Sequence, residues 1–319
     1  MNAAPTMTTL GFYPGRSPRL RLFALWYFGA LITVWVVLGH LVLGFEQAWA
    51  HPVVGVATAY AVQILLEWLD ARATGRRPRF AGGPTALANF LLPAHIAGLA
   101  CSMLLYPNER LAPMAFAAAL SIASKVLFRA PVGNGATQHV FNPSNLGITA
   151  TLLLLPAVGL APPYQFTENV QGVWDWAIPG IVLASGIVVH ALFTGRLPLV
   201  LAWLTGFLAQ ALVRAAVFGI PWAVPLMPMT SAAFILFTLY MIPDPATTPI
   251  DRRGQVVFGL SVAAIYGLLF VFHVVFGLFI ALAAVAALRG FGLYVLAGLR
   301  SRDPIAVPER AMGAGPGGP

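Results

Sequence analysis

Charge is what this sequence has least of. Only 9% of its 319 residues are Asp, Glu, Lys or Arg, 59% are hydrophobic, and the mean hydropathy is +0.82. A soluble domain carries about 25% charged residues, so an ordinary water-soluble fold is excluded and a polytopic membrane protein is read in its place. Cysteine is nearly absent. Cys101 alone can form no disulfide framework, and no iron–sulfur cluster held wholly by this chain, because such a cluster takes about four thiolates. Neither a nucleophile–base pair, nor a metal-binding motif, nor a Walker-type phosphate loop occurs among the few polar residues, so stand-alone catalysis has no support.

Long apolar runs, by contrast, are everywhere. A bilayer core about 30 Å thick needs roughly 20 apolar residues of helix. Spans are expected near 22–45, 52–70, 85–106, 111–128, 143–160, 178–195, 197–219, 230–242, 255–272 and 274–297, ten in all. The fifth begins at a proline and the eighth is too short to cross alone, which marks both as half-helices continued by irregular chain. Such chain is tolerated at depth only where protein or a cavity surrounds it. With a cytoplasmic N-terminus, 16 of the 18 basic residues fall in one set of loops, and only Arg110 and Arg214 fall in the other. That asymmetry puts both termini in the cytoplasm. It also accounts for the net charge of +8 without a nucleic-acid partner; the partner implied is the lipid bilayer. The first apolar stretch is too long for a cleavable signal and stays as an anchor. The expected organisation is a short N-terminal segment (1–21), one transmembrane domain (22–297) and a Pro/Gly-rich disordered tail (298–319).

Two stretches interrupt the oil: "GNGATQHVFNPSNLG" (133–147) and "MIPDPATTPIDRRG" (241–254). They fall in matching parts of two five-span halves, about 22–160 and 178–297. Because five is odd, the halves would be inverted with respect to the membrane. Broken helices in corresponding positions of two halves point to a central binding site. Pro143 suits the first turn of a helix, with Asn142 as its N-cap. The N–H groups left at such a start fit a phosphate, a carboxylate, or the electron-rich edge of a flavin or quinone. Ser144, Asn145 and Thr149 add neutral hydrogen-bonding groups. The plainer reading is a helix that simply begins at the membrane surface.

Asp244 sits between two prolines in extended chain. With Thr247 and Thr248 it can hold a ring N–H, a ribityl hydroxyl or a cation, or it can cap a turn and pair with Arg252 or Arg253. Lys125, a turn inside the end of span four, either snorkels to head groups or faces the same cavity. Glu67 and Asp70 share a helix face and read as ion-pair partners of Arg72 or Arg76. His40, His95, His190 and His273 lie in or beside spans but at no common depth, so a haem held between two of them is the weaker redox reading.

Once these residues are laid out, a resemblance shows. "SKVLFRAPVGNGATQHVFNPSNLGI" (124–148) resembles the lysine, glycine-rich, F-N-P segment of RnfD, a membrane component of the Rnf electron-transport complex, which is related to NqrB of the sodium-pumping NADH:quinone reductase. "AAFILFTLYMIPDPATTPIDRRGQVVFG" (232–259) is similar to the same family's D-P, paired-threonine stretch. "GGPTALANFLLP" (82–93) and "GRLPLVLAW" (195–203) extend the likeness over most of 20–297. The D-P-A-T-T-P and F-N-P-S-N forms resemble the UnbU-type branch found beside enediyne biosynthetic clusters.

The resemblance implies an all-α fold of about ten transmembrane helices in inverted halves, in the bacterial cytoplasmic (inner) membrane. It implies an electron-transfer subunit of a larger oxidoreductase complex, with redox partner subunits or quinone, serving an enediyne-type pathway. Carried over to this chain, it marks Lys125, Asn142, Pro143, Asn145, Asp244, Thr247 and Thr248 as lining a flavin pocket. Respiratory members attach FMN to a threonine in an S-G-A-T type sequence after the fifth span. Here that stretch reads "APPYQFTENVQGVWDWA", with Thr167 between Phe166 and Glu168, and no such pattern is present. "GAT" at 135–137 falls on the opposite side. The implied flavin, riboflavin or FMN, is therefore noncovalent. A transporter or channel on the same inverted fold, or a scaffold for partner enzymes, is the competing reading.

Overall fold

A computed structural model describes residues 18–133, 136–161, 169 and 171–302. Thr167, and the tail beyond Arg302, lie outside the described residues. The chain is a polytopic, all-α membrane protein. Helix stands at each of the ten expected places: α1 Pro18–Leu38, α2 Ala50–Ala73, α3 Pro84–Leu104, α4 Ala112–Leu127, α5 Pro143–Leu154, α6 Trp174–Val188, α7 Leu197–Phe218, α8 Ala232–Leu236, α9 Arg252–Val271 and α10 Gly277–Arg302. The last continues past the expected boundary at 297. Wider π-helical turns extend α1 through Leu43, α6 through Thr194 and α8 through Met241. Among the described residues two small antiparallel pairs complete the fold. β1 Leu105–Tyr106 pairs with β4 Gly159–Leu160, and β2 Arg129–Gly133 pairs with β3 Ala136–His139 in a hairpin between α4 and α5.

Seven of these helices are long and apolar enough to cross a membrane. The three that fall short are informative. The helix α4 has 16 residues and α5 only 12, about 18 Å of rise for the latter, well under a bilayer core. The α8 segment is preceded by a short 3₁₀ turn, Val224–Thr230, and the two meet at 74°.

With no hydrophobic drive between helices in lipid, packing depends on close backbone approach. Gly55 of α2 and Gly98 of α3 face each other so closely that a Cβ on either would lie under 3 Å from the other's carbonyl oxygen. Gly147 brings α5 onto Ala117 and Ser121 of α4, and Gly259 brings α9 onto the backbone of Leu199 and Trp203 in α7. The interior of the second half is aromatic: Trp203, Phe207, Phe234, Phe237 and Tyr266 pack at centroid separations of 4.7 to 6.1 Å. The Trp203 indole N–H donates to Thr238 Oγ1 at 2.9 Å, which meets the need of a buried indole for an acceptor.

The helix α10 acts as a ruler for the first interruption. Tyr294 donates to the Arg129 carbonyl, Gly290 packs on Val140, and the Phe279 carbonyl accepts from Asn145 Nδ2 at 3.1 Å. Tyr294 and Phe279 are about 22 Å apart along the helix axis at 1.5 Å per residue. The chain from Arg129 to Asn145 therefore runs along α10 for about that length, and the start of α5 packs against the N-terminal part of α10.

Replacing Gly259 by Ala puts a methyl 2.6 Å from the Leu199 carbonyl oxygen and 2.9 Å from the Trp203 nitrogen, neither of which can rotate away. We expect a loss of roughly 1–3 kcal/mol, read as a lower thermal midpoint in detergent. Gly292→Ala in α10, where nothing lies within 4 Å, is the matched control and leaves the midpoint unchanged or raises it. Equal midpoints for the two variants would refute the close-packing account of α7 and α9.

Candidate functional site

The two interruptions touch. Asn142 caps α5 by accepting the Asn145 N–H at 3.0 Å and the Ser144 hydroxyl at 2.9 Å on Oδ1, and its Nδ2 donates 3.1 Å to the Met241 carbonyl. One side chain thus satisfies a donor at the start of one half-helix and an acceptor at the end of another. Gln138 of β3 donates to the Ala246 carbonyl, tying the hairpin to the second interruption. Where helices break away from water, each orphaned backbone group costs several kcal/mol, and these cross-bonds remove that cost.

The second interruption folds on its own acid. Asp244 accepts the Ala246 N–H at 3.0 Å and the Thr247 hydroxyl at 3.1 Å on its carboxylate, and its carbonyl accepts the Thr248 hydroxyl at 2.7 Å. The next helix, α9, is capped by Asp251, whose Oδ1 accepts the Gly254 N–H at 2.7 Å. Asp244 therefore does not pair with Arg252 or Arg253; a self-contained turn supplies its donors. Asn142 and Asp251 hold equivalent capping positions at the two breaks.

Between the interruptions and helices α1 to α4 lies a cavity of about 550 Å³, within the range that holds small ligands. Of the seven residues that the resemblance marked, Lys125, Asn142, Pro143 and Asp244 line it. Three others do not. Asn145 spends Nδ2 on Phe279, Thr247 bonds Asp244, and Thr248 accepts the Arg196 Nε–H at 3.0 Å. Lys125 faces the cavity, with Nζ 3.4 Å from Gln63 Oε1, and Gln63 is itself oriented by donating 2.6 Å to the Phe90 carbonyl. His139 also lines the wall. Burial holds its imidazole well below the usual value against the opposing pull of Asp244, so it stands neutral.

At the Arg-rich end, Arg76 bridges Glu67 at 2.5 Å and Asp70, and the Arg79 N–H donates 2.8 Å to Glu67. Arg72 instead lies over the Trp68 ring. The carboxylates raise the Arg76 guanidinium further above its ordinary range. Thr137, of the "GAT" stretch, accepts the Arg129 Nε–H at 2.8 Å on its hydroxyl. Among the histidines, His95 contacts Tyr60 and Thr33 and His190 contacts Thr194 and Leu239, each using both ring nitrogens. That weighs against haem ligation.

Three residues missed in the sequence hold the second interruption. Arg196 looks like one more loop charge, yet it is 0% exposed. It donates to Thr248 Oγ1 and, at 3.2 Å, to the Pro245 carbonyl. Arg289 of α10 donates 3.0 Å to the Thr247 carbonyl, and Gln138 acts from the hairpin. A basic residue between Gly195 and the Leu-Pro start of α7 gave one usable signal, since so short a connection leaves it little room to reach water.

A polytopic membrane bundle with two broken helices meeting at a cavity is thus the class of protein that the fold and site define. Residues 165–283, which include the second interruption, match the model of the NQR2, RnfD, RnfE family, which supports the resemblance to RnfD and NqrB. No curated protein matches the chain.

Arg196→Met leaves the Pro245 carbonyl and Thr248 hydroxyl without their donor, with a cost of roughly 1.5–3 kcal/mol for hydrogen bonds to a charged group. We expect faster amide exchange in peptides covering 243–250, with unchanged exchange in β2 and β3. Unchanged exchange at 243–250 would show that Arg196 does not clamp this segment.

Proposed function

We propose that this chain is a membrane electron-transfer subunit that holds a flavin noncovalently in the cavity between the two interruptions, within a single transmembrane domain of two inverted halves (about 22–160 and 178–297). The observation that carries the reading is the cavity wall itself. A donor, Lys125, and an acceptor, Asp244, come from different halves of the chain and share one cavity with a largely apolar lining. The residues fit the group. A flavin ring has both hydrogen-bond acceptors and an N–H along its polar edge, and its ribityl chain has hydroxyls that suit Asp244 and the Gln138 level of the hairpin. The family match over 165–283 favours electron transport over the transporter reading, and it favours work within a complex of redox partner subunits or with quinone.

The bound flavin would supply the electron-carrying chemistry, and the protein its position and surroundings. Lys125 would hold a negatively polarised atom of the ligand. Asp244, fixed by Ala246 and Thr247, would orient a donor. Phe28, stacked on Tyr240 at 5.2 Å and 9°, and Trp35 would keep water from the ring. The service of an enediyne-type biosynthetic pathway, in the bacterial cytoplasmic membrane with both termini cytoplasmic, belongs to the same proposal.

Protein purified in mild detergent should carry the visible absorbance of a flavin that is released by denaturation without proteolysis. Asp244→Ala should lower its occupancy at least severalfold while the protein still elutes as a single species. A colourless preparation that takes up no added flavin and moves solute into liposomes would replace this reading with the transporter.

A further inference from the structure

Spaced three and four residues apart, Gln210, Val213, Arg214 and Val217 share one face near the end of α7. An arginine so close to the end of a crossing helix ordinarily extends to water and head groups. Arg214 stands four residues before the last one, Phe218, about 6 Å along the axis, yet it is only 5% exposed. Its side chain folds back along the helix, and its Nε–H donates 2.8 Å to Gln210 Oε1. Gln210 is fixed in turn by donating 2.8 Å to the Phe207 carbonyl. Gly267 of α9 gives it room, since a Cβ there would lie 2.9 Å from the same amide oxygen. The guanidinium lies over the Phe270 ring of α9, with Cζ 3.9 Å from the ring centroid.

The position is built, and it lacks an anion. The terminal nitrogens Nη1 and Nη2, which carry most of the guanidinium N–H groups, are buried without a hydrogen-bond partner among the described residues. No carboxylate among those residues forms an ion pair with Arg214. The titratable group that acts on it is Tyr266, a phenol that is neutral at physiological pH. A guanidinium does not shed its proton to escape burial. Neither a ring face nor one amide oxygen replaces the counter-charge that a buried cation requires.

We propose that Arg214 anchors a phospholipid at the paired ends of α7 and α9, with a head-group phosphate on Nη1 and Nη2. Two oxygens of a phosphodiester match the planar fork of a guanidinium. The rim fits the rest of an amphiphile. Val213 and Val217 on the α7 side and Phe270 and Val271 on the α9 side are exposed, so an apolar border surrounds one charged anchor. The two helices run side by side in one direction, with Gly259 on Leu199 near their starts and Phe270 on Arg214 near their ends. Both are long and apolar enough to cross a membrane, so their ends fall where head groups begin. Phe270, 45% exposed, is the cover that gives way to the head group. The site is apart from the cavity, whose lining includes none of these residues, and it does not depend on the flavin reading.

Full-length protein in mild detergent, stripped of lipid, is titrated by calorimetry with three probes: dioctanoyl phosphatidylglycerol, dioctanoylglycerol, which has the same chains without the phosphate, and inorganic phosphate. The wild type is expected to bind the phospholipid roughly tenfold or more tightly than either of the others. Arg214→Gln should bring the phospholipid down to the diacylglycerol level and leave diacylglycerol binding unchanged, which shows an intact apolar rim. Equal affinities of the wild type for the two lipids, a comparison that needs no variant, would overturn the site. So would a phospholipid preference that survives Arg214→Gln. Inorganic phosphate bound as tightly as the phospholipid would assign the anchor to a free anion and remove the lipid from it. A protein chain retained by the wild type and lost in Arg214→Gln, with no phospholipid preference in either, would give the guanidinium to a partner's carboxylate instead.

Discussion

The structure depends on one constraint: backbone that leaves a helix inside a membrane must find its hydrogen bonds within the protein. This chain leaves helix twice, and the two departures serve each other. The Asn142 side chain closes the first turn of α5 and the last carbonyl of the α8 segment together, and Gln138 reaches across to Ala246. A single break would need ordered water or a partner to meet the same demand. Two breaks placed face to face meet it with their own side chains, and the cavity lies between them and helices α1 to α4.

Rigidity at the breaks follows from how many elements hold them. Arg196 enters from the turn before α7, Arg289 from α10 and Gln138 from the hairpin, all onto the eight residues from Pro243 to Ile250. Each donor comes from a helix or hairpin that is packed elsewhere, so Asp244 is presented on a braced support. A site built this way holds its side chains closer to one geometry than a free loop can. Of the carboxylates on the wall, Glu67 and Asp70 are paired with Arg76, while Asp244 shares the cavity with Lys125.

The helical elements were legible because apolar length is a strong local signal, and all ten expected positions carry helix. The half-helices α5 and α8 could be read as short from Pro143 and from the length of 230–242 alone. The site was legible only in part. Lys125, Asn142, Pro143 and Asp244 stood out as polar or helix-breaking residues in an apolar background, and they line the cavity. Asn145, Thr247 and Thr248 stood out for the same reason but are spent inside the chain. Arg196 did not stand out at all, because in a list of loop charges a buried guanidinium and a solvated one look alike.

What the sequence by itself determined is the solvent, the number and place of the helices, and the two points at which helix fails, because each follows from composition within a window of about 20 residues. What only the tertiary structure decided is that the failures meet, and which polar side chains are consumed in making them meet. Hydrogen bonds such as Asn142 to Met241 and Asn145 to Phe279 join residues 99 and 134 positions apart. No local pattern encodes such pairs; they arise when the packed bundle brings α5, α8 and α10 into reach, and polar residues not used there remain on the cavity wall.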